Sequence, residues 1–244
     1  MLYNPVFQQR LEIWTPARKR SSVACSGSSR CGANRFPPQQ RLGWKIGFNL
    51  ADDQQRLGLP SAMVGFLCGA RRLAPGGSYP VPPNARLLVE PEVALLIGAD
   101  LPAGAGAAQA NAAIEAYAAA LELVDTTRSV GDDIEAILAS NLFHEAVVLG
   151  EQRLAPEEYH REQLALSLRI NNREVATLEQ QRVPKEFSAL VLTVANILAA
   201  HGELLRKGDW IITGAAARAV PVQAGDVISL DMGPLGEAGL TIAS

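Results

Sequence analysis

From residue 41 onward apolar and polar positions recur with regular periods; before it they do not. In Trp44-Lys45-Ile46-Gly47-Phe48-Asn49 large apolar side chains alternate with small or polar ones, the period of a half-buried strand. That strand sets Lys45 on the face opposite the aromatics, where Gly47 and Asn49 leave it room. Asp52 to Gly58 predicts a short helix or turn ending at Gly58, Val64 to Cys68 a short strand, and Ala74 to Ser78 a turn. Leu87 to Gly98 is an apolar strand interrupted by Glu90 and Glu92. The alanine-rich run Ala107 to Ala120 predicts a helix, leading into Leu121-Glu122-Leu123-Val124-Asp125 with a third embedded carboxylate. Ile134 to His144 reads as helix and Ala146 to Gly150 as a buried strand. Leu164 to Ile170 alternates, Asn171-Asn172 suits a hairpin turn, and Glu174 to Leu178 returns antiparallel. Phe187 to Ala200 is a core-packed helix, closed by His201-Gly202. Strands follow at Trp210 to Thr213, Val227 to Met232 and Leu240 to Ile242. Many strands with a few helices predict an α+β domain built on a β-roll or barrel.

The embedded carboxylates carry the chemistry. Glu90 and Glu92 are two residues apart on a strand and share one face. Two unpaired carboxylates there repel each other and lose hydration, so a counter-charge is expected: a divalent cation, or a nearby Lys or Arg. The alternative is a strand edge with both pointing into water. Glu122 strengthens the metal reading, because hard cations such as Mg²⁺ take oxygen ligands and a few carboxylates make a usual part of their shell. Lys45 is a candidate neutraliser or acid–base group, against the reading of a solvated strand lysine.

The chain has 244 residues, 48% of them hydrophobic, and a net charge of −3, which gives no reason to expect nucleic acid or an anionic membrane as partner. No apolar run reads as a membrane span. Cys25, Cys31 and Cys68 lack metal-ligand spacing and suit a reducing compartment, so a cytoplasmic location is expected. Residues 1–40 differ from the rest: Arg10, Arg18, Lys19, Arg20, Arg30 and Arg35 face one acid, Glu12, in a small, polar segment predicted to be poorly ordered. A mis-assigned start or frame error accounts for it at least as well as a transit peptide. Residues 41–244 are read as a single catalytic domain.

Three segments, Gly43-Trp44-Lys45-Ile46-Gly47, Glu90-Pro91-Glu92 and Leu121-Glu122-Leu123-Val124-Asp125, together resemble the 2-keto-4-pentenoate hydratase and 4-oxalocrotonate decarboxylase branch of the fumarylacetoacetate hydrolase superfamily. Gly208-Asp209-Trp210-Ile211-Ile212-Thr213-Gly214, Ala224-Gly225-Asp226-Val227 and Gly233-Pro234-Leu235-Gly236 agree. The resemblance implies a mixed β-roll or barrel holding Mg²⁺ or Mn²⁺ at its mouth. It places Glu90, Glu92 and Glu122 as metal ligands, Lys45 as the active-site lysine, Thr213 and Gly214 as substrate-binding, and Asp125 either behind the ligands or simply ending its strand. It implies a hydratase acting on a 2-hydroxy-2,4-dienoate from aromatic-compound degradation. The alternatives are a decarboxylase or acylpyruvate-type hydrolase on the same scaffold, and a catalytically silent homologue or partner subunit. Homo-oligomers, dimers or larger, are implied, with a hetero-oligomer also open. The chain departs from the pattern in three places, the first being that the family's usual N-terminal helices are scrambled or absent. No carboxylate follows Gly65-Phe66-Leu67, and Leu178 to Pro184 replaces a glycine-rich, substrate-facing segment. Arg71 or Arg182 could meet a second carboxylate of a diacid, against the reading of surface arginines. His144 is read as a packing or capping residue.

Overall fold

The computed structural model describes residues 41–128 and 133–243; the basic segment 1–40, with Cys25 and Cys31, lies outside the described residues. The strands are β1 (Arg41–Gly47), β2 (Met63–Cys68), β3 (Arg72–Leu73), β4 (Gly77–Pro80), β5 (Leu87–Ile97), β6 (Ile114–Asp125), β7 (His144–Leu149), β8 (Ser167–Ile170), β9 (Arg173–Thr177), β10 (Trp210–Ala215), β11 (Val220–Pro221), β12 (Val227–Asp231) and β13 (Glu237–Ala243). The helices are α1 (Ala51–Leu57), α2 (Ala107–Ala112), α3 (Ile134–Ala139) and α4 (Phe187–Ala200). The main sheet runs β2-β1-β10-β5-β6-β7-β3, with β11 added to β5; the second runs β4-β13-β12-β8-β9. The main sheet curls into a half-barrel, and the few helices flank it.

Strand pairing fixes which side chains share a face. On one face of the main sheet Val93, Leu95, Ile97, Leu121 and Leu123 join the core formed with Ile228, Leu230 and Leu240 of the second sheet and Val191, Val194 and Leu198 of α4. The other, inner face carries Ala94, Ala118, Ala120, Val147 and Ile212.

The inner face explains where the sequence reading fails. The alanine run predicted to be helical through Ala120 is helix only over Ala107–Ala112; the rest is β6, paired with β5 from Leu87↔Asp125 to Ile97↔Ile114. Alanine prefers helix by a fraction of a kcal/mol per residue, and a fully hydrogen-bonded central strand outweighs that preference. The helix predicted to reach His144 stops at Ala139, because Asn141, Leu142 and Phe143 turn left-handed before His144 begins β7. Asn171 (φ 51°) and Asn172 (φ 64°) form the two-residue turn expected between β8 and β9.

The stretch Gln180–Ala200 is apolar and long enough by composition to cross a membrane, contrary to the sequence reading. Its α-helix covers only the 14 residues of α4. At about 1.5 Å per residue that is about 21 Å, short of a hydrocarbon core of about 30 Å. Phe187, Val191, Val194 and Leu198 of this helix are buried in the protein core.

Candidate metal centre

The register brings the three carboxylates together. Glu90 on β5 lies directly opposite Glu122 on β6, and Glu92, two residues along β5, pairs with Ala120. All three therefore point to the inner face. One carboxylate oxygen from each lies within 4.8 Å of the other two. Glu92 and Glu122 are buried, at 1% and 0% exposure, while Glu90 is partly open and marks the approach from solvent.

Lys45 reaches the cluster from β1. Its ammonium donates to Glu122 Oε1 and to the Leu142 carbonyl at 3.0 Å. The room it needs comes chiefly from across the ladder, not from Gly47 and Asn49. A Cβ at Gly65, which pairs with Lys45, would stand 2.9 Å from Lys45 Cγ and 2.8 Å from Asn141 Oδ1. His144 Nδ1 lies 2.7 Å from the same Glu122 Oε1. The sequence reading of His144 as a packing or capping residue missed this contact, because nothing local to Leu142-Phe143-His144 points across a strand to Glu122. The segment before it is unusual: Asn141 (φ 56°), Leu142 (φ 54°) and Phe143 (φ 66°) are three consecutive left-handed residues other than glycine. Asn141 pins them to β2, accepting from the Phe66 N–H and donating to the Phe66 carbonyl, both at 2.9 Å.

The electrostatics follow from burial and company. Burial, then Glu122, pushes Glu90 up to about 7, with Lys45 and Arg182 pulling against them. Burial, then Glu122 and Glu90, raises Glu92 well above the usual carboxylate range, although the Gly214 N–H donates to Glu92 Oε2 at 2.7 Å. Burial also opposes ionisation of Glu122, but Lys45 and His144 outweigh it and hold that carboxyl below its ordinary value. Burial keeps the His144 imidazole below its usual range, with Glu122 offsetting part of the effect.

These residues fit a divalent cation. Glu122 Oε2 is buried with no hydrogen-bond partner among the described residues. Three ionised carboxylates and one ammonium leave a formal charge of −3 + 1 = −2, which a dication cancels. Oxygen donors alone suit a hard ion.

Other expected site residues lie elsewhere or act through neighbours. The Gly214 N–H is committed to Glu92, and the Thr213 hydroxyl donates to the Val93 carbonyl at 3.0 Å; both brace the carboxylate strand. Asp125 is an odd number of residues from Glu122 and so faces the other side of β6. It accepts from the Arg86 and Thr127 N–H groups and the Thr127 hydroxyl, closing the strand end. Arg71 pairs at 3.5 Å with Glu145, a buried carboxylate that also takes Arg128 and, at 2.6 Å, the Tyr79 hydroxyl. The sequence reading did not single out Glu145. Arg182 donates to Glu179 Oε2 at 2.9 Å.

Known proteins share this arrangement of elements. The family model described as fumarylacetoacetate (FAA) hydrolase C-terminal matches residues 44–243. A 4-oxalocrotonate decarboxylase of Pseudomonas sp. is 25% identical over 198 residues, covering 81% of this chain and 77% of that protein. The TodF product hydratase of Pseudomonas putida strain F1 is 26% identical over 214 residues, 83% of this chain and 76% of that protein. Among solved structures, 4-oxalocrotonate decarboxylase from Pseudomonas putida G7, complexed with magnesium and adipate, superposes with a TM-score of 0.76 at 24% identity, covering 83% of this chain and 78% of that one.

Proposed function

The chain belongs to the fumarylacetoacetate hydrolase C-terminal family, and from that premise we propose that it is a divalent-metal-dependent lyase that hydrates a 2-hydroxy-2,4-dienoate. The observation that carries the reading is the carboxylate triad Glu90, Glu92 and Glu122 beside Lys45, with Glu122 Oε2 unpartnered. Related proteins named as a hydratase and as decarboxylases, one of them solved with magnesium and a dicarboxylate, support the substrate class. A cation held by the triad would act as a Lewis acid, polarising the oxygen on C2 of a 2-oxo acid and favouring its enolate.

The chain's own groups do the rest. An ammonium has three N–H donors. Two of those on Lys45 are committed to Glu122 and to the Leu142 carbonyl, leaving the third for the substrate. Lys45 so placed anchors the substrate carboxylate or donates the proton that carbon receives when the dienol becomes a ketone. Water adds further along the chain, at the β-carbon of the conjugated ketone. The burial of Lys45, Glu92 and Glu122 keeps bulk water from the reacting end, and the partial exposure of Glu90 leaves the entry there.

Decarboxylation of a 2-oxo diacid is the second reading. It is favoured by the absence of a carboxylate after β2 and by the decarboxylase relatives. One pair of assays separates the two. Loss of ultraviolet absorbance from 2-hydroxypenta-2,4-dienoate, dependent on Mg²⁺ or Mn²⁺ and abolished in Glu92→Gln, supports hydration. Carbon dioxide release from 4-oxalocrotonate with no loss of the dienol replaces it with the decarboxylase. No turnover of either, with metal still bound, points to a silent homologue.

A further inference from the structure

We propose that His144 is a positioning residue for the metal centre: its Nδ1–H and the Lys45 ammonium together occupy Glu122 Oε1, leaving Oε2 as the oxygen that ligates the cation. The proposal rests on reading the carboxylate triad as a metal site, and it concerns how this chain prepares that site.

The geometry divides the two oxygens of one carboxylate. Oε1 receives Lys45 and, at 2.7 Å, His144; Oε2 has no partner among the described residues although it is fully buried. A carboxylate tethered through one oxygen by two donors cannot rotate to present the other way. The bond also sets the tautomer: Nδ1 carries the hydrogen, because Glu122 can only accept. An imidazole donor adds no charge, so the cluster keeps the deficit of −2 that a dication needs. A second ammonium in the same place would have removed half of it.

The backbone delivers this donor at a cost. Asn141, Leu142 and Phe143 each hold a left-handed conformation, a backbone region that Leu and Phe rarely adopt. The same short segment supplies the Leu142 carbonyl to Lys45 and His144 to Glu122, so both donors to Oε1 are fixed from one loop. His144 Nε2 is buried without a hydrogen-bond partner among the described residues, a further cost that packing alone does not require of a histidine. A leucine would fill such a position more cheaply.

The test is Mn²⁺ binding to the full chain, read from the electron paramagnetic resonance signal of free Mn²⁺. The variants are His144→Ala and His144→Asn, whose amide N–H can take the place of Nδ1–H. Removing the donor is expected to weaken Mn²⁺ binding by about 10- to 100-fold, and His144→Asn is expected to restore most of it. If His144→Ala does not fold, His144→Gln replaces it: its amide reaches the place of Nε2 and is expected to leave binding weak. Wild-type affinity in His144→Ala overturns the proposal, as does an Asn variant no better than Ala or Gln. Wild-type protein that binds no Mn²⁺ would bring down the metal reading itself, whereas good wild-type binding with indifferent variants removes only the role of His144.

Discussion

Lys45 and Glu122 stand three strands apart in the main sheet, on β1 and β6, yet their side chains are in direct contact. Three steps of about 4.8 Å would separate them by about 14 Å in a flat sheet. Their contact measures how tightly the sheet curls.

The pair is buried at both ends, so removing one partner strands the other. Lys45→Met is expected to destabilise the metal-free protein by about 3 kcal/mol or more. Saturating Mg²⁺ should recover much of that loss, because the cation takes over the charge of Glu122. Urea unfolding with chelator and with Mg²⁺ measures both. Equal losses in the two conditions would mean that no cation reaches Glu122.

Stability should also depend on pH in a particular direction. Glu90 has a folded value of about 7 against an ordinary 4.5, and Glu92 is shifted the same way. A raised folded value gives stability that is complete below about 4.5 and lost as pH rises through about 7. His144, held low by burial, acts oppositely, but its effect lies below its ordinary 6.5 and is complete by there. Between pH 6.5 and pH 8, a window that spans the folded value of Glu90, the melting temperature of the metal-free protein is therefore expected to fall. With excess Mg²⁺ the fall should vanish, because the cation binds the deprotonated carboxylates. Thermal scans at the two pH values decide it, and a rise without metal contradicts the proposed electrostatics.

Gly65 makes space for the lysine. An alanine there would crowd Lys45 Cγ at 2.9 Å and Asn141 Oδ1 at 2.8 Å. Gly65→Ala is expected to fold with a loss of about 1–3 kcal/mol from overpacking, and to lose turnover far more than it loses Mn²⁺ affinity. Calorimetry together with steady-state kinetics tests this. Unchanged kcat would show that Lys45 tolerates displacement.

Arg71 is engaged with Glu145, and its side chain is 39% exposed. Arg71→Ala should cost less than about 1 kcal/mol, since Arg128 and Tyr79 remain on the same carboxylate. KM for either substrate class should stay within a factor of about two of wild type. A tenfold rise confined to a diacid would instead place Arg71 at the substrate.

Much of the molecule was readable from the chain alone. The placing of Lys45 on the face opposite Trp44 and Ile46, the core helix Phe187–Ala200 and the Asn171-Asn172 turn are set by contacts within a few residues, where side-chain period and turn chemistry act directly; the strand itself ends at Gly47, before the left-handed Phe48, and is buried on both faces. That Glu90 and Glu92 share a face also follows from strand geometry. Tertiary structure decided what depends on distant partners. It set Glu122 opposite Glu90, made strand of an alanine run that favours helix, turned His144 toward Glu122, gave Arg71 to Glu145 and placed Asp125 on the far side of β6. Lys45 and Glu122 lie 77 residues apart in the chain, and only register and curl join them. Local pattern specifies which face a side chain takes; it carries no information about which strand will lie opposite.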